Sequence, residues 1–104
     1  MDIAQLTKNM HDFVGSMGWY LPDSPRPQTL RNLAISLNLE ASEVLEHFQW
    51  DDDLKDTQSF SDELADVMLY LLQLASLSEI DLEKAVLTKL EKNYQRKWDE
   101  ESQP

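Results

Sequence analysis

Residues 61–78 read SDELADVMLYLLQLASLS, and their reading decides the fold. Leu64, Val67, Met68, Leu69, Leu71, Leu72 and Leu74 cover most of the circumference of a helix. A helix that is apolar all round is buried all round. Ser59 or Ser61 is the expected N-cap, and the helix should run to about Ser78. Upstream, Leu30, Leu33, Ala34, Leu37, Ala41, Val44, Leu45 and Phe48 lie on one face of a second helix, from Thr29 to near Trp50. Asp51, Asp52, Asp53 and the polar run to Ser59 join the two. Ile3, Leu6, Met10, Phe13, Val14 and Met17 recur at helical spacing, so residues 2–17 predict a first helix. Gly15, Gly18, Pro22, Pro25 and Pro27 break that pattern, leaving 18–27 as a loop that carries Trp19 and Tyr20. Asp81 should cap a fourth helix, with Glu83 in its first turn and Lys92, Arg96 and Lys97 towards its end, as the helix dipole favours.

The expected fold is therefore all-α: a four-helix bundle in one domain over residues 1–104, with 98–104 as a frayed tail. A chain of 104 residues can just afford one core. The second apolar face of the third helix should meet another subunit, so the core is completed by homo-oligomerisation, as a homodimer or dimer of dimers. The chain has no cysteine, so disulfides and thiolate zinc sites are excluded. Its N-terminus lacks the basic and apolar blocks of a signal peptide, and no apolar run approaches eighteen residues. The expectation is a cytoplasmic protein with no membrane contact. A formal charge of −11 repels nucleic-acid backbone, so no nucleic-acid partner is expected.

Helix two contains Glu40-Ala-Ser-Glu43 and helix three contains Glu63-Leu-Ala-Asp66. Residues three apart on a helix share a side, so each segment aims two carboxylates one way. At about 100° per residue, Glu40 falls about 20° from Leu33 and about 40° from Val44, at the margin of the apolar stripe. Glu63 lies about 40° from Val67 by the same count. Both pairs should therefore approach the seam between the helices. Four converging carboxylates in a partly dry seam are unfavourable unless a hard divalent cation is bound among them. Such an ion could polarise a phosphoryl group and generate hydroxide. The plainer reading is that acidic pairs arise by chance as solvated helix faces in a chain with twenty acidic residues.

On helix four, Lys89, Asn93 and Arg96 form an i, i+4, i+7 stripe suited to phosphate oxygens. Cations near a helix C-terminus can equally just complement the dipole. Tyr70 shares the stripe of Glu63 and Asp66, and Trp50 follows helix two, where it could stack on a base or merely plug an apolar surface. Asn32 and Ser36 border the same seam as weaker candidates. His47 lies on the side of Glu40 and Glu43, but a lone histidine near a helix end reads as a cap or surface group. No phosphate-binding glycine loop is present.

Taken together, Leu39-Glu40-Ala-Ser-Glu43, Phe48-Gln49-Trp50, Glu63-Leu-Ala-Asp66-Val-Met-Leu-Tyr70, and Lys89 with Asn93 resemble the MazG-like all-α NTP pyrophosphohydrolases, close to the dCTP pyrophosphatase type. Their signature is E-x-x-E, a spacer, then E-x-x-D, and here residues 44–62 form the spacer. The resemblance spans about residues 28–97. It implies that Glu40, Glu43, Glu63 and Asp66 form the catalytic centre and hold Mg²⁺ (Mn²⁺ is possible). It also implies that Lys89 and Asn93 meet the triphosphate, to which the helix-four stripe adds Arg96, while Trp50 and Tyr70 help hold the nucleoside. The implied reaction converts a nucleoside triphosphate, expected to be a dNTP, and water to the monophosphate and pyrophosphate, by attack at the α-phosphorus. The implied role is house-cleaning of the nucleotide pool. This chain has Gln28 where some relatives carry a histidine, and Arg96-Lys97-Trp98 where many end in a basic-Tyr-Pro run. The competing readings are an acidic helical interaction module and a pyrophosphohydrolase of a biosynthetic nucleotide such as phosphoribosyl-ATP.

Overall fold

The computed structural model describes residues 1–98, which form four helices and, among those residues, no strand. They are α1 (Ile3–Ser16), α2 (Leu30–Glu46), α3 (Thr57–Leu77) and α4 (Leu82–Gln95). No helix among the described residues is long and apolar enough to cross a membrane.

Each helix starts where a side chain can satisfy its free N–H groups. Asp2 and Gln5 form a capping box on α1, Thr29 accepts from Asn32 on α2, and Asp81 accepts from Lys84 on α4. The cap of α3 corrects the sequence expectation. It is Asp56, whose carboxylate accepts the Ser59 N–H at 3.0 Å, and the helix therefore begins at Thr57. Ser59 and Ser61 lie inside it. A carboxylate accepts this bond more strongly than a hydroxyl, which favours the earlier start.

Left-handed residues redirect the chain after two of the helices. After α1, Gly18 takes a left-handed φ of 75°; its N–H donates to the Gly15 carbonyl and that of Trp19 to Val14. Gly15, expected as a breaker, is inside α1. This turn carries Trp19 back onto the helix, where its ring meets Phe13 edge-on at 5.7 Å. After α3 the same motif recurs without glycine. Glu79 stands at φ 57°, and the Glu79 and Ile80 N–H groups donate to Ser76 and Ala75. Helix α2 stops at Glu46, so Trp50 lies beyond it, in the connector.

Helix α3 is central, packed against α2 along much of its length, against α1, and more weakly against α4. Met10, Val14 and Leu72 form the core, with Ile3, Trp19, Met68 and Leu82 against them. The all-round burial expected of α3 is not met within one chain: Leu72, Gln73 and Ala75 are buried, while Leu64, Leu69 and Leu71 are exposed. The single chain is also less of a closed bundle than expected, because α4 buries no residue and joins the core through Leu82. The radius of gyration is 16.6 Å, against about 13 Å for a compact chain of this length. Of the expected tail, Trp98 is placed, with Nε1 donating to the Asn93 carbonyl at 2.8 Å. The other tail residues, 99–104, lie outside the described residues.

Candidate active site

The packing of α2 on α3 brings the four predicted carboxylates into mutual electrostatic contact. Burial, first, holds the Glu40 carboxyl above its ordinary value. The neighbouring Glu43 carboxyl, with which it can share a proton, and then the charges of Glu43, Asp66 and Glu63 push it the same way. Asp66 is raised too, by burial first and then by Glu43, Asp62 and Glu63. Oε2 of Glu40 is buried with no hydrogen-bond partner among the described residues. Such an orphan is costly unless a hydrogen-bond donor or a cation satisfies it.

Among the described residues no three His, Asp or Glu side chains stand in a ready-made ligand geometry. Glu63 is turned instead towards His47, whose Nε2 meets Glu63 Oε2. His47 is the C-cap residue of α2, as its position suggested, but its ring is mostly buried and meets Phe60 edge-on at 5.3 Å. Sequence reasoning set it aside. Its partner, sixteen residues away, becomes visible only when α2 and α3 pack. The donor set nonetheless fits a hard cation: the unsatisfied atom is a carboxylate oxygen, and its neighbours are carboxylates that resist sharing charge.

Beside the carboxylates lies a cavity of about 570 Å³. Asp66 and Tyr70 border it on the α3 side, and Asn32 and Ser36 on the α2 side, which supports the two weaker candidates as cavity-lining groups. Its apolar wall includes Phe13 and Trp19, with the Arg26 guanidinium 5.2 Å above the Trp19 ring. Sequence reasoning left Trp19 and Arg26 as loop residues, because only the turn at Gly18 aims the loop across α1. Gln28 and Gln73 complete a polar end. Tyr20 accepts a hydrogen bond from Gln73 Nε2 at 3.2 Å, and burial raises its hydroxyl above the ordinary 10.0, so it stays neutral.

The remaining predicted residues are not gathered there. Trp50 is 90 % exposed and does not line the cavity. Lys89 borders a separate shallow hollow on α4, with Asp81, Lys84, Thr88 and Lys92. Among the described residues the buried side-chain oxygen of Asn93 has no partner, and Arg96 stacks on Trp98 at 4.3 Å. Within one chain, none of these α4 groups borders the cavity beside the carboxylates.

Known proteins share this arrangement of chain. The MazG-like family profile matches residues 35–103. A pyrophosphatase from Archaeoglobus fulgidus superposes with a TM-score of 0.79 at 32 % identity, covering 92 % of each chain. The dCTP pyrophosphatase 1 proteins of Rattus norvegicus and Homo sapiens are 37 % and 36 % identical over 75 residues, 64 % of this chain and 44 % of theirs. This chain thus spans less than half the length of those curated relatives. With a profile match over most of its length and a solved relative covered nearly end to end, the chain belongs to the MazG-like family.

Proposed function

We propose that this chain is a nucleoside triphosphate pyrophosphohydrolase that releases pyrophosphate and the monophosphate from (d)NTPs, with dCTP a first candidate. The observation that carries this reading is the buried Glu40 Oε2, without a partner among the described residues, amid Glu43, Glu63 and Asp66. The names of the matched relatives support the same chemistry. The four carboxylates would hold Mg²⁺ or Mn²⁺, which when bound polarises phosphoryl oxygens and makes water a nucleophile near neutral pH. Glu63 would leave His47 to join that set. Tyr70 and the cavity beyond it would receive the nucleoside, leaving the α-phosphorus at the carboxylate end.

Lys89, Asn93 and Arg96 lie away from that cavity in one chain, so their proposed role on the triphosphate needs a second copy to bring α4 across. Trp50, out in solvent, would stack only on a nucleotide already bound or at a neighbouring copy's site. The exposed leucines of α3 and α4 support a homodimer or dimer of dimers. A cytoplasmic house-cleaning role is consistent with the absence of cysteine.

The test is release of pyrophosphate from a panel of dNTPs and NTPs with Mg²⁺. Wild type should release it, excess EDTA should stop it, and Glu63→Gln should lower it by orders of magnitude, since an amide is a poor ligand for a hard cation. No pyrophosphate from any triphosphate would overturn the reading.

A further inference from the structure

Glu63, Asp66, Tyr70 and Gln73 stand at i, i+3, i+7 and i+10 on α3, so they form one stripe along the helix. From Asp66 to Gln73 the stripe rises about 10 Å. Asp66, Tyr70 and Gln73 all line the cavity. A nucleotide with its phosphates at the carboxylates would therefore extend its base towards Gln73.

Gln73 is 3 % exposed and is the buried polar side chain of the core. Its orientation comes from a chain of donors and acceptors. The Arg26 carbonyl can only accept, and it receives Gln28 Nε2 at 2.7 Å. Gln28 Oε1 is thereby turned to Gln73, which must offer Nε2, at 2.8 Å. The second Nε2 proton goes to the Tyr20 hydroxyl at 3.2 Å. Tyr20 in turn meets His11 Nδ1 at 2.6 Å, and His11 Nε2 meets Ser76 Oγ at 2.7 Å. Both amide protons of Gln73 are committed, and its Oε1 accepts no hydrogen bond among the described residues. With its nitrogen committed, Oε1 is the amide atom that this cavity-lining side chain has left for a ligand.

We propose that Gln73 Oε1 is a specificity-determining acceptor for the exocyclic amino group of a nucleobase, favouring 4-aminopyrimidines and 6-aminopurines over their oxo counterparts. The proposal rests on the pyrophosphohydrolase reading above. An amino group supplies the donor this oxygen lacks. A carbonyl in the same place sets two acceptors against each other, and a site built for a hydrogen bond discriminates strongly against a ligand that cannot make it. The amide cannot turn over to suit an oxo base without setting its Oε1 against Gln28 Oε1, which is fixed because Gln28 Nε2 is held by a backbone carbonyl. Tyr20, Gln28 and His11 are positioning residues that keep the acceptor aimed.

The measurement is kcat/KM for pyrophosphate release from dCTP, dUTP and a triphosphate with hydrogen at pyrimidine C4, with dATP against dITP as the purine pair. Wild type should favour the amino member at least tenfold in each pair, with the C4–H analogue between dCTP and dUTP. Gln73→Met, which keeps the bulk and removes the acceptor, should bring the dCTP-to-dUTP ratio close to one. A purely structural role for Gln73 would lower both rates and leave that ratio intact, which would overturn the proposal. If Gln73→Met fails to fold, the wild-type series still decides: equal turnover of dCTP, dUTP and the C4–H analogue sinks the inference while leaving the pyrophosphohydrolase reading standing. Failure to cleave any triphosphate removes both.

Discussion

Glu40 is a side chain whose place in the fold carries a cost. Its carboxyl is raised above the ordinary 4.5 by burial and by three acidic neighbours. A raised carboxyl means that the folded chain binds its proton more readily than the unfolded chain does, so this group's contribution to stability is lost as pH rises through the folded value. Asp66, raised above 3.8, adds to the effect with the same sign. The melting temperature of metal-free protein should therefore fall as pH rises above the ordinary carboxylate range. Glu40→Gln should flatten that dependence and raise the melting temperature at pH 8, whereas Asp23→Asn, the same charge change in the exposed loop, should do neither. Mg²⁺ should stabilise wild type by mass action and Glu40→Gln much less. A Glu40→Gln protein that melts well below wild type without metal would mean that Glu40 serves the scaffold.

At the scale of elements, the helix termini do more to place the site than the helix bodies do. Gly18 turns Trp19 back into the cavity wall, and an added Cβ there would meet Leu21 at 3.5 Å on a backbone that side chains rarely adopt. Asp56 starts α3 before the expected serines; Ser59's backbone and side chain hold its carboxylate below the ordinary 3.8. That cap contributes stability above the ordinary value and loses it as pH falls through the depressed one. Glu79 occupies the left-handed position after α3 that usually belongs to glycine. Releasing that strain by Glu79→Gly should stabilise the fold by about 1 kcal/mol, read from urea midpoints at constant m-value. A destabilised variant would show that the Glu79 side chain makes up for its backbone.

At the scale of the whole molecule, the proposed homo-oligomer has its support in exposed apolar side chains. Leu87 is 62 % and Leu45 72 % exposed, and Leu64, Leu69, Leu71 and Leu90 add further apolar surface. Soluble monomers rarely keep large apolar patches in water, so side chains like these favour a partner. Sedimentation at micromolar concentration should give a dimer or larger species; a clean 12.1 kDa particle would contradict this. Dimerisation would also explain why Lys89 and Asn93 sit apart from the carboxylates in one chain, since a neighbour's α4 could then approach them. A substitution such as Leu87→Asp should weaken assembly and pyrophosphate release together.

The sequence by itself determined the helices and the acidic pairs, because both depend on spacing within one segment. The period of apolar residues marks α2 and α3 as helices, though how much of each face is buried it did not fix, and i, i+3 spacing fixes that Glu40 and Glu43, or Glu63 and Asp66, point the same way. It also carried the family signature, a pattern of types and spacings. Only the tertiary structure decided which pairs form across segments. The contact of His47 with Glu63 joins residues sixteen apart, that of Gln73 with Gln28 joins residues forty-five apart, and that of His11 with Ser76 sixty-five. No periodicity records such partners, since they depend on how α1, the loop and α3 come together. The cavity belongs to the same class: Trp19, Arg26 and Gln73 are unremarkable in sequence until one left-handed glycine turns the loop across the helices.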